Sequence, residues 1–338
     1  MTAVDFNRVL VARHDPTLRA VLGVAWRLGY VRGADPANDL PAHVRAASAI
    51  RRQNNRLVVV QDDVNALATL DVRTGAVRPI LLPAGIDGKR VHDDRRGNKA
   101  AKLDLEASVV LPDGRLLAFG SGSSPQRERL VILQAPAADP WSGVEAVRLL
   151  EAGAWYASLR AEAAARAAEL NVEGAVVYDD RLRIVQRGHG KRPTTHWNAI
   201  VDYSLAEFVA WLDGRADVPR PIGSIELQLG ASAEGVIFGF TDAATMPDGR
   251  LAFLACAEDS ADVRSDGPVR GCRFGWIERG NRAALVTDVL EPDGRPTLLK
   301  WEGLEPRAAE PGAFDVVADM DRPEEPAVIA ELRVDRSP

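Results

Sequence analysis

The sequence predicts an all-β fold, a β-propeller, and three observations carry the prediction. One pattern recurs along the chain: an acidic residue followed by a small one, a short strand, a turn, and an Arg-Leu pair that opens a second strand. The Arg-Leu pairs begin at Arg56, Arg115, Arg181 and Arg250, in steps of 59, 66 and 69 residues. The acid-then-small pairs begin at Glu106, Glu173, Asp242 and Glu302, in steps of 67, 69 and 60. A degenerate repeat of this period, built of strands and turns, marks a propeller or similar array. The second observation is the turn chemistry of the clearest copy, Phe240 to Ser260, in which Pro247-Asp248-Gly249 joins two apolar runs as a tight hairpin. The third is the mismatch at the two ends. Residues 1–44 do not fit the repeat, while the last unit has only Ala327 to Val334 after Asp321, enough for one strand. A strand near the start is therefore predicted to complete the last blade and close the ring, leaving no open sheet edge.

Taken in order, Arg8 to Ala12 and Ala20 to Trp26 read as strands of the closing segment. Unit one spans about 45–103, with strands Leu57 to Gln61 and Ala66 to Asp71 and a polar loop over Ile86 to Lys102. Unit two, about 104–170, carries the loop Gly120-Ser-Gly-Ser-Ser124, a strand over Gln126 to Leu133, and an alanine-rich stretch, Trp155 to Leu170, with helical spacing. Unit three, about 171–239, holds the His189–His196 loop and a strand near Ala199 to Tyr203. Within it Leu205 to Leu212 reads as a short amphipathic helix or a distorted strand. Units four and five span about 240–298 and 299–338. Five blades is the first count and six the second, all within one propeller domain over 1–338.

Composition narrows the function classes. The chain has 338 residues, 46% hydrophobic and 27% charged, with a formal charge of −6, the profile of an ordinary globular protein. Without a basic excess it is not expected to bind nucleic acid or an anionic membrane. The N-terminal residues show no export signal and no apolar run spans a bilayer, so a cytoplasmic location is expected. Cys256 and Cys272 are then expected to be two reduced, buried thiols.

In a propeller the innermost strand of each blade lines the central channel, and the connection into it opens on the same face as the loop after the second strand. This brings Glu106, Glu173, Asp242 and Glu302 towards one axis, with Asp62, Asp63, Asp104, Glu258, Asp259, Asp319 and Asp321 nearby and Lys102, Arg127, Arg187 and Lys300 among them. So many carboxylates repel unless neutralised. A hard cation with oxygen ligands, Ca²⁺, is one neutraliser; the arginines and lysines are the other. On the first reading Glu106, Glu173, Asp242 and Glu302 are the metal ligands. Arg127, Arg187 and Lys102 would then hold the anionic part of a small substrate, with Ser121 and Ser123 of the Gly-Ser loop beside them. Glu258 or His189 would act as general base. No zinc spacing, phosphate loop or nucleophile elbow is present.

The runs Lys102-Leu-Asp-Leu-Glu-Ala107, Asn171-Val-Glu-Gly174, Thr241-Asp-Ala243 with Glu258-Asp-Ser260, and Lys300-Trp-Glu-Gly303 with Asp319-Met-Asp321 carry a resemblance. Over about 45–335 they resemble a bacterial propeller family of uncharacterised function, distantly similar to phytase-like, esterase-like propellers. The resemblance implies a propeller with a Ca²⁺-linked hydrolytic or binding site at the channel mouth. Three functions stay open at this point: a metal-assisted hydrolase of a small phosphoester, ester or lactone; a non-catalytic propeller that binds a ligand or peptide; and a structural propeller whose channel is ion-paired internally.

Overall fold

The computed structural model describes residues 8–53, 55–85, 87–134, 146–162, 169–194, 196–260 and 267–336. Its strands form five four-stranded units, the blades of a propeller. The first is Ala47–Gln53, Arg56–Gln61, Ala66–Asp71 and Val77–Leu81, and the second Leu105–Val110, Leu116–Gly120, Arg129–Gln134 and Ala146–Glu151. The third is Val172–Tyr178, Arg181–Gln186, Asn198–Ser204 and Pro221–Gln228, and the fourth Gly239–Thr245, Leu251–Glu258, Val269–Ile277 and Ala284–Leu290. The fifth holds Lys300–Pro306, Ala313–Asp319 and Val328–Arg336, and its outer strand comes from the opposite end of the chain: Leu18–Leu22 lies antiparallel on Val328–Arg336. The innermost strands pack against one another in chain order, and the last packs against the first.

Burial on both faces explains the composition of the strands. Leu251–Glu258 is buried along its whole length because blades flank it on either side. One apolar cluster fills each of the five seams between neighbouring blades. The seam between blades two and three also takes in the helices Gly153–Ala161 and Leu205–Leu212, whose Trp155, Tyr156, Leu159 and Phe208 are buried there. The first helix lies at the start of the alanine-rich stretch; residues 163–168 of that stretch fall outside the described residues. The second is capped by the Ser204 hydroxyl, which accepts from the Glu207 N–H. Three hairpins use the same Pro-Asp-Gly-Arg turn. Gly114, Gly249 and Gly294 have φ of 88°, 79° and 85°, a region that favours glycine. Asp113, Asp248 and Asp293 accept from the N–H groups of Arg115, Arg250 and Arg295.

The closing segment does more than finish the fifth blade. Arg8–Val11 pairs in parallel with Pro221–Gln228 at the rim of blade three, and Arg13–His14 pairs with Ala284–Leu290 at the rim of blade four. Leu18–Leu22 also touches Ala284–Leu290, so it bridges blades four and five. Trp26–Arg27 then pairs with Val328–Arg336, and Tyr30 bridges to Val77 on blade one. The segment is a belt across four of the five blades.

The cysteines correct the expectation of free thiols. Cys256 and Cys272 stand directly opposite on neighbouring strands, with Cα atoms 4.1 Å apart, and are joined as a disulfide. Cross-strand register brings the two sulfurs together, a constraint that composition does not reveal. No helix among the described residues is long and apolar enough to cross a membrane.

Two outcomes follow. Removing residues 1–30 uncovers the rims of blades three, four and five, and the truncated chain should be insoluble or lose most of its thermal stability; a soluble product melting within a few degrees of the parent would contradict the role given to the belt. Denatured without reductant, the intact protein should show no reactive thiol in a colorimetric assay.

Candidate functional site

The site is built by an irregularity shared by all five inner strands. Each carries one extra residue relative to the second strand of its blade: Ser48, Glu106, Glu173, Thr241 and Glu302. A bulge of this kind re-aims the extra side chain. These five residues are therefore the structural equivalents. Two of them are tied to the next blade's backbone: the Ser48 hydroxyl donates to the Leu105 carbonyl at 2.6 Å, and the Thr241 hydroxyl to the Trp301 carbonyl at 2.7 Å. The other three are carboxylates, and Glu106, Glu173 and Glu302 offer oxygens that all lie within 4.8 Å of one another.

Asp242 is not a member of this ring, which corrects its place in the expected ligand set. It stands one residue beyond the bulge, where the other blades have Ala49, Ala107, Gly174 and Gly303. Small residues there leave space around the axis: a Cβ on Gly303 would meet the Ile50 nitrogen at 2.9 Å. Asp242 accepts from both terminal nitrogens of Arg51 at 2.8 Å each, and from the Leu304 and Ala243 N–H groups. Arg51 also donates to the carbonyls of Ile50, Leu304, Ala175 and Ala243. The pair is buried, with Asp242 fully enclosed, and it joins blades one, three, four and five.

Around the carboxylate ring the partners are unequal. Glu173 Oε1 accepts from Asn171 Nδ2 at 2.7 Å and from Arg187 at 3.0 Å, whereas its Oε2 is buried without any partner. Glu302 Oε1 pairs with Lys300 Nζ at 2.8 Å. Glu106 makes no hydrogen bond or ion pair among the described residues. Burial, and then the charges of Asp62, Asp104, Glu173 and Glu302, push the Glu106 pKa well above the carboxylate range. Burial also lifts Glu302, to about 8 despite Lys300. Asp62, Asp104 and Glu106 converge as well, but Lys102 Nζ already sits at 2.6 Å from both Asp62 and Asp104.

The remaining predicted residues divide in two. Lys102, Arg127, Arg187, Glu258 and His189 line a polar cup of about 280 Å³ at the channel mouth, together with Glu106 and Glu173. Ser121 and Ser123 do not line it. Ser121 is fully buried and donates to Asp104, and Ser123 accepts from Arg127 at 2.9 Å, so the two hydroxyls hold the network in place and are not substrate contacts. Arg127 also pairs with Asp104 at 2.9 Å, and Arg187 is clamped between Glu173 and Glu258. Much of the cationic charge expected to meet a substrate is thus spent inside the protein. Glu258 does not suit the role of base. Burial alone would raise its pKa, but Lys300 and Arg187 outweigh that and hold it at about 2, too low to take a proton near neutrality. His189 stands at the cup with its ring stacked on His196, centroids 4.3 Å apart.

The cup wall also contains Arg45, Asp63 and His92, of which the sequence reading noted only Asp63 as acidic company and passed over the others. His92 lies in the polar loop of unit one, where a lone histidine carries no motif. Arg51 likewise escaped notice, because its partner Asp242 is distant in sequence.

The profile of a family of unknown function, DUF6929, matches residues 43–334. The chain belongs to that family. The match covers all the inner strands of this DUF6929 protein, and with them the carboxylate ring. No curated protein matches it in sequence. Among solved structures it is similar to the PQQ-bound aldose sugar dehydrogenase of Streptomyces coelicolor, at 14% identity and a TM-score of 0.47 over 95% of this chain and 99% of that one. It is similar to the calcium-binding protein regucalcin of Agrobacterium tumefaciens, at 13% identity and a TM-score of 0.39 over 99% of both chains. It is also similar to the WD40 β-propeller domain of Doa1, at 8% identity and a TM-score of 0.38 over 92% of this chain and 96% of that one. At these identities the likenesses speak to no activity of DUF6929.

The axial pair has a measurable consequence. Asp242→Ala leaves the Arg51 guanidinium buried and uncompensated, and should lower the unfolding free energy by about 3–5 kcal/mol, read from urea titration. Replacing both partners by apolar residues should recover a good part of that loss. A single-variant cost under about 1 kcal/mol would remove the pair from its structural role.

Proposed function

We propose that the channel mouth holds a divalent cation on Glu106, Glu173 and Glu302, with Ca²⁺ the best match, and that the site hydrolyses a small ester-type substrate. The observation that carries the reading is the convergence of three carboxylates of which one is wholly unpaired and another keeps a buried oxygen without a partner. An internally ion-paired channel would leave neither. The donor set is all carboxylate oxygen, which suits a hard cation. Oxygens that all lie within 4.8 Å of one another are close enough to share an ion bound at about 2.3–2.6 Å.

The protein's own residues prepare the site. Lys300 engages one oxygen of Glu302, and Asn171 with Arg187 engages one oxygen of Glu173. Each carboxylate is thereby held in orientation with its second oxygen left over. Three carboxylates supply fewer than the roughly six to eight oxygens that Ca²⁺ takes, so positions remain for water and substrate. A bound cation would polarise an acyl or phosphoryl oxygen and make a coordinated water more acidic. His189, which lines the same cup, would take up the proton. The resemblance to phytase-like, esterase-like propellers supports hydrolysis as the reaction class. A binding propeller without catalysis would share the cation and differ only in turnover. The buried disulfide favours an oxidising compartment over the cytoplasm.

Melting curves test the cation. Ligand bound by the native state alone raises the melting temperature, so Ca²⁺ should stabilise the protein and EDTA should reverse the effect. Glu106→Gln should abolish the response. In metal-free buffer it should melt at or above the parent temperature, because it removes an unpaired carboxyl whose ionised form burial and the neighbouring acids disfavour. A parent indifferent to Ca²⁺, Mg²⁺ and Mn²⁺ refutes the cation; a Ca²⁺ response without hydrolysis of p-nitrophenyl acetate or p-nitrophenyl phosphate leaves a binding propeller.

A further inference from the structure

The cup has a wall that neither the carboxylate ring nor the proposed base uses. His92 is 0% exposed, and neither ring nitrogen has a hydrogen-bond partner. Its backbone N–H donates to the Asp63 carbonyl at 2.8 Å, which fixes the two residues side by side. Arg45 takes Asp63 Oδ2 at 2.5 Å and also reaches Asp93 at 3.3 Å, while Asp63 Oδ1 is buried with no partner. All of these residues line the cup. Buried polar atoms without partners are unfavourable, and a cluster of them in one wall of a cavity is a place where a ligand's polar groups are missing.

The rest of the lining narrows what that ligand is. Among the described residues its only apolar ones are Ala46 and Pro323, with no aromatic ring beyond the two histidines. An apolar or flat aromatic molecule finds nothing to pack against. The lining has ten carboxylates and eight cationic side chains, and Glu302 adds a further carboxylate to the ring. By formal charge the acids are then three in excess, so a divalent ion offsets two of them and leaves no positive surplus for an anion. Arg127 and Arg187 are already engaged by Asp104, Glu173 and Glu258. Burial lowers the His92 pKa, so at neutral pH the imidazole is uncharged, with one nitrogen to donate and one to accept. That is the complement of a hydroxyl group.

Resting on the cation reading above, we propose that the Asp63–His92 wall is the recognition pole of the cup, and that it takes the hydroxyl groups of a small, uncharged, polyhydroxylated ligand whose other end meets the cation. The cup's 280 Å³ admits a molecule of monosaccharide size. Asp63 and His92 are positioning residues here, and the ligand class is set against the phosphorylated one.

The test uses the full chain loaded with Ca²⁺ and two probes that differ by one charged phosphoryl group, D-glucose and D-glucose 6-phosphate, followed by the His92 ring proton resonances and by calorimetry. Glucose should shift the His92 signals and bind at least tenfold more tightly than its phosphate. His92→Ala and Asp63→Asn should each weaken glucose at least tenfold, while the Ca²⁺ midpoint stays within about twofold of the parent. Tighter binding of the phosphate overturns the proposal, as does glucose binding that neither variant changes. If Ca²⁺ binds and glucose has no effect, the recognition pole is wrong and the cation site stands. If Ca²⁺ itself does not bind, the cation reading falls first and the recognition pole with it. Should His92→Ala fail to fold, His92→Gln keeps a polar side chain and serves in its place.

Discussion

The rest of the molecule depends on the ion pair between Arg51 and Asp242. A ring of blades has an axis that must be filled, and here two opposite charges fill it. Their hydrogen bonds reach the backbone of blades one, three, four and five, so the inner strands are referenced to one another and not only to their neighbours. The arrangement needs small residues at the equivalent positions of the other blades, and Ala49, Ala107, Gly174 and Gly303 supply them.

The carboxylate ring follows from the five bulges. An unbroken strand alternates its side chains between faces with a period of two, and one extra residue shifts the side chains beyond it by one place. That shift places Glu106, Glu173 and Glu302 in one ring and sends Asp242 to a different layer, although the four look alike as acid-then-small pairs. The layers carry different chemistry. The ring layer has surplus acidic groups and unpaired oxygens, and in the layer of Asp242 the acid is fully compensated by Arg51.

Much of the architecture could be read from the chain because it rests on local chemistry. The Arg-Leu pairs do open second strands, the Pro-Asp-Gly runs are turns with glycine in the left-handed region, and the short last unit does take its outer strand from the first 30 residues. Three of the four acids aligned by spacing share a ring for the same reason. What could not be read depends on register or on distant partners. A bulge is a property of two strands at once, so the one-residue offset between Thr241 and Asp242 leaves no local trace. The pairing of Cys256 with Cys272 likewise needs the register of two strands. His92 belongs to the site because its backbone bonds to Asp63 from the loop of blade one, and Arg45, just before the first inner strand, because it reaches Asp63 and Asp93. Glu258 has the right residue type for a base, yet Lys300 and Arg187 on two other blades decide its acidity.

The belt also bears on the order in which the fold is made. Leu18–Leu22 must wait for Val328–Arg336, since the two strands are each other's partners across nearly the whole length of the chain. Contacts so distant in sequence are slow to form, because a long loop must close before they are rewarded. During synthesis the first four blades can assemble as the chain emerges, but the ring stays unsealed until the last strand arrives. Throughout that interval Leu18–Leu22 has an exposed hydrogen-bonding edge, a template for pairing with another nascent chain. Its alternation of buried and exposed residues, with Arg19 on the outward side, puts a charge on that edge during the wait.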